Sequence, residues 1–200
     1  MKSPTYWHPF LYELSLRASL KRSYRKRYEA VAGLIGPGRT VVDICCGDCK
    51  IHSFLKGADY LGLDFNRTFV KSALARGINA REFDVRRDPI PAADDVLMIA
   101  SLYQFIPDHL AILKKAYAAA EKRLILCEPV RNHADSRNRL LSWAAKWLND
   151  PGNGVKKARL DLPALKETLR PFQDRISREF FVPGEIEYVV VIERSVRGPG

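Results

Sequence analysis

The sequence predicts an α/β protein with a doubly wound, mostly parallel seven-stranded sheet, a C-terminal antiparallel hairpin and helices on both faces. Between residues 40 and 127, short apolar runs rich in β-branched residues alternate with segments of helical spacing. Strands that alternate with helices form parallel sheets covered by helices on both sides. Near the C-terminus, two further strands are separated only by Pro183-Gly184-Glu185, a connection too short for a parallel crossover.

Size and composition predict one globular domain. The chain has 200 residues, of which 46% are hydrophobic, and this is enough to bury a core. No apolar run approaches the roughly 20 residues that cross a bilayer, and the N-terminus lacks the pattern of a secretory signal. Three of the four cysteines lie within five positions, unlike the cysteines of a disulfide framework. We therefore expect a cytoplasmic protein with reduced thiols.

The first predicted element is helical. Residues 9–35 have the apolar spacing of one amphipathic helix or a broken pair, ended by Gly36-Pro37-Gly38. Two basic runs, Lys21-Arg22 and Arg25-Lys26-Arg27, lie on the opposite side of this helix. They form either a solvated face or a surface for an anionic ligand or membrane.

Five strands and the helices between them follow in alternation. The strands are predicted at Thr40–Ile44, Tyr60–Asp64, Ala80–Phe83, Asp95–Ala100 and Arg123–Cys127. The helices are predicted at Asp48–Lys56, from the N-cap Asn66 to Arg76, and at Pro107–Ala120. After Glu128 we predict helices near Asn138–Leu148 and at Leu162–Leu169, then strands near Arg175–Val182 and Ile186–Glu193.

The carboxyl ends of the first two strands carry the most informative residues. Asp43 ends the first strand and Asp64 ends the second, twenty-one residues later. An acid in the second position typically accepts hydrogen bonds from a ribose diol. The turn between them has only one glycine, Gly47, so the dinucleotide fingerprint is absent. Asp43, Asp48 and Asp64 also make the site acidic, which favours a cationic nucleoside over a pyrophosphate.

Four motifs resemble those of class I S-adenosylmethionine-dependent methyltransferases. The segment 43–49, Asp-Ile-Cys-Cys-Gly-Asp-Cys, resembles their acid- and glycine-rich turn, and 60–66 resembles their second-strand signature. The segment Glu82-Phe83-Asp84-Val85 is similar to their adenine-side loop, and 94–108 to their fourth strand and the turn after it. The resemblance covers about residues 38–128 and 173–194, and four motifs in the correct order are a strong signal for this fold.

The resemblance implies S-adenosylmethionine as the cofactor and gives each of its parts to named residues. The implied set comprises Asp43, Cys45 and Gly47 for the methionine moiety, Asp64 for the ribose, and Phe65, Asp84 and Val85 for the adenine. Ser101 and Tyr103 are implied to line the sulfonium and substrate side. The resemblance also divides the single domain into an N-terminal helical cover (1–37), a cofactor-binding core (38–130), a helical substrate-cover insert (131–172) and the terminal hairpin (173–194).

The chain departs from the family pattern at two places. The family usually has glycine where Cys45 and Cys49 stand, and cysteine fits there if the backbone φ is negative. The turn after the fourth strand often carries histidines in the family, and here Ser101 and Phe105 take those places. No catalytic base is therefore transferred from the family. His133, after the fifth strand, is the best candidate for one, with Tyr103 as a second catalytic candidate.

The position of the basic residues predicts the kind of acceptor. The formal net charge is +10, and residues 1–30 and 131–170 each carry a basic surplus of five, which is seven against two and nine against four. In this fold these segments commonly cover the substrate. We therefore expect methyl transfer to oxygen or nitrogen of an anionic small-molecule or lipid-like acceptor, with possible peripheral contact to an anionic membrane. The absence of interleaved aromatic and basic residues disfavours nucleic acid.

Two other functions stay open from the sequence. The glycine-poor turn is compatible with a non-catalytic binding module that has a methyltransferase fold. The pair Cys46 and Cys49, after a strand and before a helix, has the context of a thiol redox pair. The same cysteines with His52 invite a zinc site, but no second ligand cluster accompanies them, so no metal is expected.

Overall fold

A seven-stranded sheet forms the centre of the protein. The computed structural model describes residues 23–130, 160–184 and 186–194. The strands are β1 (Thr40–Ile44), β2 (Asp59–Asp64), β3 (Ala80–Glu82), β4 (Ala93–Ile99), β5 (Ala120–Pro129), β6 (Ile176–Phe181) and β7 (Glu187–Glu193). Their order is β3-β2-β1-β4-β5-β7-β6, and only β7 runs against the others. The predicted fold class is therefore confirmed, including the antiparallel hairpin β6–β7.

Helices cover both faces of the sheet, as predicted. The α-helices are α1 (Ser23–Ala32), α2 (Arg67–Leu74), α3 (His109–Ala119) and α4 (Leu162–Leu169). Short 3-10 helices lie at Lys50–Phe54, Leu102–Phe105 and Arg170–Arg175. Residues of α1 and α2, such as Val31 and Val70, pack in the core on one face. Residues of α3 and α4, such as Leu113 and Leu165, pack in the core on the other face.

The central strands are apolar because both of their faces are covered. Val96, Leu97 and Met98 of β4 are fully buried, and so are the residues that face them on β5. In a parallel sheet between two helical layers, polar side chains have a place only at the strand ends. The chain leaves β3 and returns to the other side of β1 as β4, and this change of direction creates a crevice at the carboxyl ends of β1 and β4.

Several predicted boundaries are confirmed and others differ for physical reasons. Asn66 caps α2 as predicted, with its side chain accepting a hydrogen bond from Thr68 N at 2.9 Å. β5 extends beyond Arg123–Cys127 at both ends, because β4 and β7 pair with the added residues. The α-helix predicted at Asp48–Lys56 is wrong, because Cys49 has a left-handed backbone and only the 3-10 helix Lys50–Phe54 follows.

The N-terminal basic cluster is not a uniform solvated face. Arg25 is exposed and pairs with Glu29 at 2.9 Å, as expected of such a face. Arg27 is different, because it is only 4% exposed and its guanidinium lies 2.5 Å from the buried carboxylate of Glu187 on β7. The prediction that the whole run 25–27 lies on the polar side of the helix is therefore wrong at Arg27. The rest of the predicted helix 9–35, and the predicted helix Asn138–Leu148, lie outside the described residues.

No helix in the described ranges combines the length and the apolar character that crossing a bilayer requires.

Candidate functional site

The predicted site residues gather at one edge of the sheet. The chain leaves β1, β2, β4 and β5 at Ile44, Asp64, Ile99 and Pro129, and these carboxyl ends meet at the crevice. Hydrogen bonds join the turns that follow them. Gly47 N donates to Asp64 Oδ2 at 2.7 Å, which ties the turn after β1 to the end of β2. Ser101 N donates to Glu128 Oε1 at 2.8 Å, which ties the turn after β4 to the end of β5.

The turn after β1 is left-handed at three of its residues. Cys45, Gly47 and Cys49 each have a φ of 57°. The condition under which cysteine fits these places easily, a negative φ, is therefore not met. A left-handed conformation costs a residue with a side chain about 1–2 kcal/mol, so the turn must be held from outside. Two hydrogen bonds to β2 do this, since Cys46 N donates to Leu63 O at 3.1 Å in addition to the bond from Gly47.

The thiols of Cys46 and Cys49 pack against β2. Their sulfur atoms lie 3.3 Å apart, and Cys49 is 1% exposed. The hydrogen bond with Cys49 and burial raise the pKa of Cys46 well above its usual value. A thiol with a raised pKa is a poor nucleophile, which argues against the redox alternative. Among the residues with described positions, no group of three or more His, Cys, Asp or Glu side chains could hold a metal.

Gly62 of β2 makes room for these thiols. A Cβ atom at this position would lie 2.5 Å from Cys49 Sγ and 2.9 Å from Cys46 Sγ. Real Cβ atoms do not approach sulfur so closely, so the thiols fill the space that a side chain on β2 would otherwise take.

We expect Gly62→Ala to destabilise the protein by about 1–3 kcal/mol, because the added methyl group overpacks a buried cluster. Urea unfolding measures this free energy. Adding Cys49→Ala removes the nearer sulfur and should recover part of the loss, because Cys46 Sγ remains 2.9 Å from the added carbon. If the double variant is as unstable as the single one, the contact with the thiols is not the cause.

Asp43 lies beneath the turn rather than at the surface. It is 3% exposed and accepts a hydrogen bond from Tyr60 Oη at 2.8 Å. Burial raises the pKa of Asp43 to about 7, the bond from Tyr60 opposes this, and the charges of Asp64 and Asp48 add to the rise. Tyr60 was missed as a site residue, although the parallel pairing of β1 and β2 places it on the same face as Asp43.

Asp64 holds the turn and keeps capacity for a ligand. Its Oδ2 accepts from Gly47 N and its Oδ1 from Asn66 N, each at 2.7 Å. A carboxylate has about four acceptor positions, so two remain for a diol. Burial raises the pKa of Asp64, against these two backbone hydrogen bonds. Next to it, the ring of Phe65 is 74% exposed, which is unusual for phenylalanine and suits a flat ligand ring.

The loop after β3 is held by its own hydrogen bonds. Asp84 N donates to Asp88 Oδ2 at 2.8 Å, and Asp84 Oδ1 accepts from Arg86 N at 3.0 Å. Val85 is buried, and its carbonyl oxygen accepts from Lys115 Nζ at 2.7 Å. The loop is thus fixed relative to α3, and Asp84 keeps further acceptor positions for an amino group.

The turn after β4 is organised by Glu128, which sequence reasoning did not include in the site. The carboxylate is fully buried, and its Oε1 accepts from Ser101 N at 2.8 Å and Leu102 N at 2.9 Å. Burial raises the pKa of Glu128 to about 7, and these backbone bonds oppose the rise. The signal for it was an acid at the end of the apolar run Leu124-Ile125-Leu126-Cys127.

Of the two catalytic candidates, the structure describes only Tyr103. Tyr103 lies half-buried in the 3-10 helix Leu102–Phe105, beside Ser101 at the site edge. His133 lies outside the described residues. A catalytic role for either stays a prediction.

A second concavity lies at the opposite edge of the sheet and is lined by Arg39, Lys122 and Arg123 among others. These cations are already paired. Arg39 and Arg123 both bind the buried carboxylate of Asp95 at 2.8 Å, and Lys122 lies 2.9 Å from Asp94. The arrangement explains how Asp95 is buried, and it leaves the carboxyl edge as the candidate site.

Solved structures that share this fold include several methyltransferases. Magnesium protoporphyrin IX methyltransferase from Synechocystis PCC 6803, with bound SAH, aligns at a TM-score of 0.67 and 15% identity over 90% of this chain and 87% of that one. A SAM-dependent methyltransferase from Thermotoga maritima aligns at 0.63 and 18% identity over 92% and 95%. One from Aquifex aeolicus aligns at 0.57 and 17% over 86% and 93%. The resemblance to the class I methyltransferase fold is therefore confirmed.

Among curated proteins, none matches this sequence. A family model does match, and its description is "Methionine biosynthesis protein MetW". It aligns with residues 25–146, which is more than half of the chain and includes every strand that contributes to the site. The chain therefore belongs to the family of methionine biosynthesis protein MetW.

Proposed function

We propose that this protein binds S-adenosylmethionine at the carboxyl edge of its sheet and transfers the methyl group to an acceptor. The observation that carries this proposal is the pair Asp64 and Phe65 at the end of β2. Asp64 has two acceptor positions left for a ribose diol, and the exposed ring of Phe65 offers a stacking face for a base. Structures of the same fold hold SAM or SAH, as in the Synechocystis methyltransferase.

Different residues of the described site would bind different parts of the cofactor. Asp64 would take the ribose, and Asp84 with Val85 would take the adenine. The left-handed turn would face the methionine moiety, because Gly47 has no side chain to keep a ligand away from the backbone. The cofactor supplies an electrophilic methyl group on a sulfonium. The chain's own contribution is to orient the acceptor in line with it and to exclude water.

The acceptor we propose is an anionic small molecule or lipid-like compound, methylated on oxygen or nitrogen in the cytoplasm. Support comes from the basic surplus of residues 1–30 and 131–170, which flank the matched strands in the sequence. Of these cations, Arg27 is held by Glu187. Reversing the charges of Lys21, Arg22 and Arg25 together should therefore weaken binding to anionic vesicles if this segment contacts a membrane. Unchanged binding and salt dependence would contradict that contact.

A non-catalytic cofactor-binding module is the second candidate. It is favoured by one observation, namely that both oxygens of Asp64 already accept backbone hydrogen bonds, which limits how freely the carboxylate can turn towards a ligand. Such a module would bind S-adenosylmethionine and its thioether product without turnover in the presence of acceptors.

Isothermal calorimetry with the full chain tests the proposal. We expect S-adenosylmethionine to bind with a dissociation constant in the range of about 1 μM to 1 mM, as cofactors and substrates of enzymes commonly do. A rise in the unfolding temperature with ligand concentration provides an independent measurement. The absence of both heat and thermal shift at millimolar ligand would exclude the proposed function and the second candidate together.

A further inference from the structure

Two buried carboxylates at the carboxyl edge of the sheet have no ion-pair partner among the residues that the structure describes. Asp43 is 3% exposed and is bonded to the neutral hydroxyl of Tyr60. Glu128 is fully buried and is bonded to backbone N–H groups. Buried carboxylates are normally paired with a cation, because removing a charge from water costs several kcal/mol. Asp95, at the other edge, follows that rule with two arginines.

Asp43 and Glu128 flank the left-handed turn from opposite faces of the sheet. Asp43 follows Val41 by two residues and so shares the face covered by α1 and α2. Glu128 follows Leu126 by two residues and shares the face covered by α3 and α4. The charges of both carboxylates act on the thiol of Cys45. Burial raises its pKa well above the usual value, and the charges of Asp64, Asp43 and Glu128 raise it further.

The neighbours of the two carboxylates supply little positive charge. Arg27 of α1 is the cation whose charge lowers the pKa of Glu128, yet its ion pair is with Glu187. Arg86 opposes the acids at Cys45 and lies 5.1 Å from the ring centre of Phe105. The other titratable residues near Glu128 include Tyr188 of β7, Cys45, Tyr103 and Cys127. Those near Asp43 include Tyr60, Cys45, Cys46, Asp48 and Asp64.

Two buried oxygen atoms at the carboxyl edge of the sheet have no hydrogen-bond partner in the described part of the chain. They are Glu128 Oε2 and Ser101 Oγ. They belong to two residues joined by a hydrogen bond, because the backbone nitrogen of Ser101 is 2.8 Å from the other oxygen of the same carboxylate. A buried acceptor left unpaired costs about 1–3 kcal/mol, and this edge is where the fold binds its ligands. A ligand that carries positive charge would lower the free energy of keeping these buried carboxylates ionised.

We propose that Asp43 and Glu128 select a cationic ligand at this edge. The site then binds a sulfonium cofactor in preference to the neutral thioether that methyl transfer leaves, and it releases protons as the cofactor enters. This inference rests on the proposed function. The methionine and adenosine moieties are common to both ligands, so the preference depends on the sulfonium charge alone. Loss of that charge during transfer would favour release of the product.

The direction of the pH dependence follows from the raised pKa values. Asp43 and Glu128 each have a pKa of about 7 in the folded protein. Below that pH both carboxyls are protonated and neutral, so they do not distinguish the two ligands. Above it they are carboxylates and attract the cation. A bound cation lowers their pKa, and the protons lost pass to the buffer.

The experiment is calorimetry of the full chain with S-adenosylmethionine and S-adenosylhomocysteine in two buffers of different ionisation enthalpy. Between about pH 6 and about pH 7.5, we expect the ratio of the two affinities to rise on the order of tenfold. Proton release should accompany the sulfonium ligand only. Glu128→Gln and Asp43→Asn should each reduce both effects. Glu121→Gln is the matched control, because Glu121 is exposed at the opposite end of the same strand.

The outcomes separate this inference from the function on which it rests. If S-adenosylmethionine does not bind at either pH, the proposed function fails. If it binds with a constant affinity ratio and no proton release, the function stands and this inference is wrong. The wild-type protein alone decides this, so the test does not depend on folding of the variants.

Thermal unfolding provides a second measurement, since a raised carboxyl pKa means that unliganded stability falls as pH rises through about 7. Glu128→Gln should lessen that fall, and an undiminished fall would contradict the assignment to Glu128.

Discussion

Replacing Asp64 with alanine is expected to weaken S-adenosylmethionine binding by about 100-fold. The variant loses the two acceptor positions that we assign to the ribose diol. It also frees Gly47 N and Asn66 N, each held at 2.7 Å by the carboxylate. The turn after β1 then loses one of its two ties to β2, so the backbone that should face the methionine moiety is no longer fixed. Calorimetry measures the loss directly.

Two other variants separate ligand contact from support of the turn. Asp64→Asn keeps one carbonyl oxygen, which can accept from only one of the two backbone groups and cannot serve both ribose hydroxyls. We expect it to bind more weakly than wild type and more tightly than Asp64→Ala. Asp59→Asn is the matched control, because Asp59 is exposed at the other end of β2. If Asp64→Ala binds as tightly as the control, the assignment of the ribose to Asp64 is wrong.

The positions of the acidic site residues could be predicted because they depend only on strand ends. Parallel strands that enter a sheet in the same direction bring their last residues to one edge. Asp43, Asp64 and Asp84 each close a short apolar run, and each lies at that edge. Glu128 obeys the same rule, since it closes the run of β5. Its part in the site could not be predicted, because its hydrogen bonds to the turn after β4 join segments that are distant in the chain.

The conformation of the turn could not be predicted, because residue preference indicates the opposite. Cysteine seldom adopts positive φ, and the spacing of Ile51, Phe54 and Leu55 favours a helix that would begin before Lys50. In the folded chain the left-handed Cys49 prevents that helix. The compensating contact comes from β2, where Gly62 leaves the space that the two thiols fill. The turn has cysteines where the resemblance to class I methyltransferases implies glycines, and the neighbouring strand has Gly62 opposite two of them.

The burial of Arg27 also could not be read from local sequence. It belongs to the basic run Arg25-Lys26-Arg27, and its partner Glu187 is 160 residues away in the chain. Only the packing of α1 against β5 and β7 brings the two together. Sequence patterns predict that such a helix is amphipathic, but they do not show which cation turns inward.

Arg27→Met is expected to destabilise the protein by about 3–5 kcal/mol, and Glu187→Leu by a similar amount. Both side chains are almost fully buried, at 4% and 1% exposure, with 2.5 Å between guanidinium and carboxylate. Removing one partner deprives the other buried charge of this close ion pair. The double variant Arg27→Met/Glu187→Leu removes both charges and keeps most of the volume, so it should be much closer to wild type than either single variant. Urea unfolding of the wild type, the two single variants and the double variant measures the four free energies of this double-mutant cycle.

The exposed pair on the same helix provides the control for this cycle. Arg25 and Glu29 have a comparable separation of 2.9 Å, but their side chains are 76% and 49% exposed. Water solvates each charge when the other is removed, so Arg25→Met should cost no more than about 1 kcal/mol. A similar cost for Arg25→Met and Arg27→Met would mean that burial does not govern the strength of the inner pair. A large difference would show that Arg27 fixes α1 to β7.

Since the charge of Arg27 also lowers the pKa of Glu128, Arg27→Met should shift the pH dependence of cofactor affinity towards higher pH.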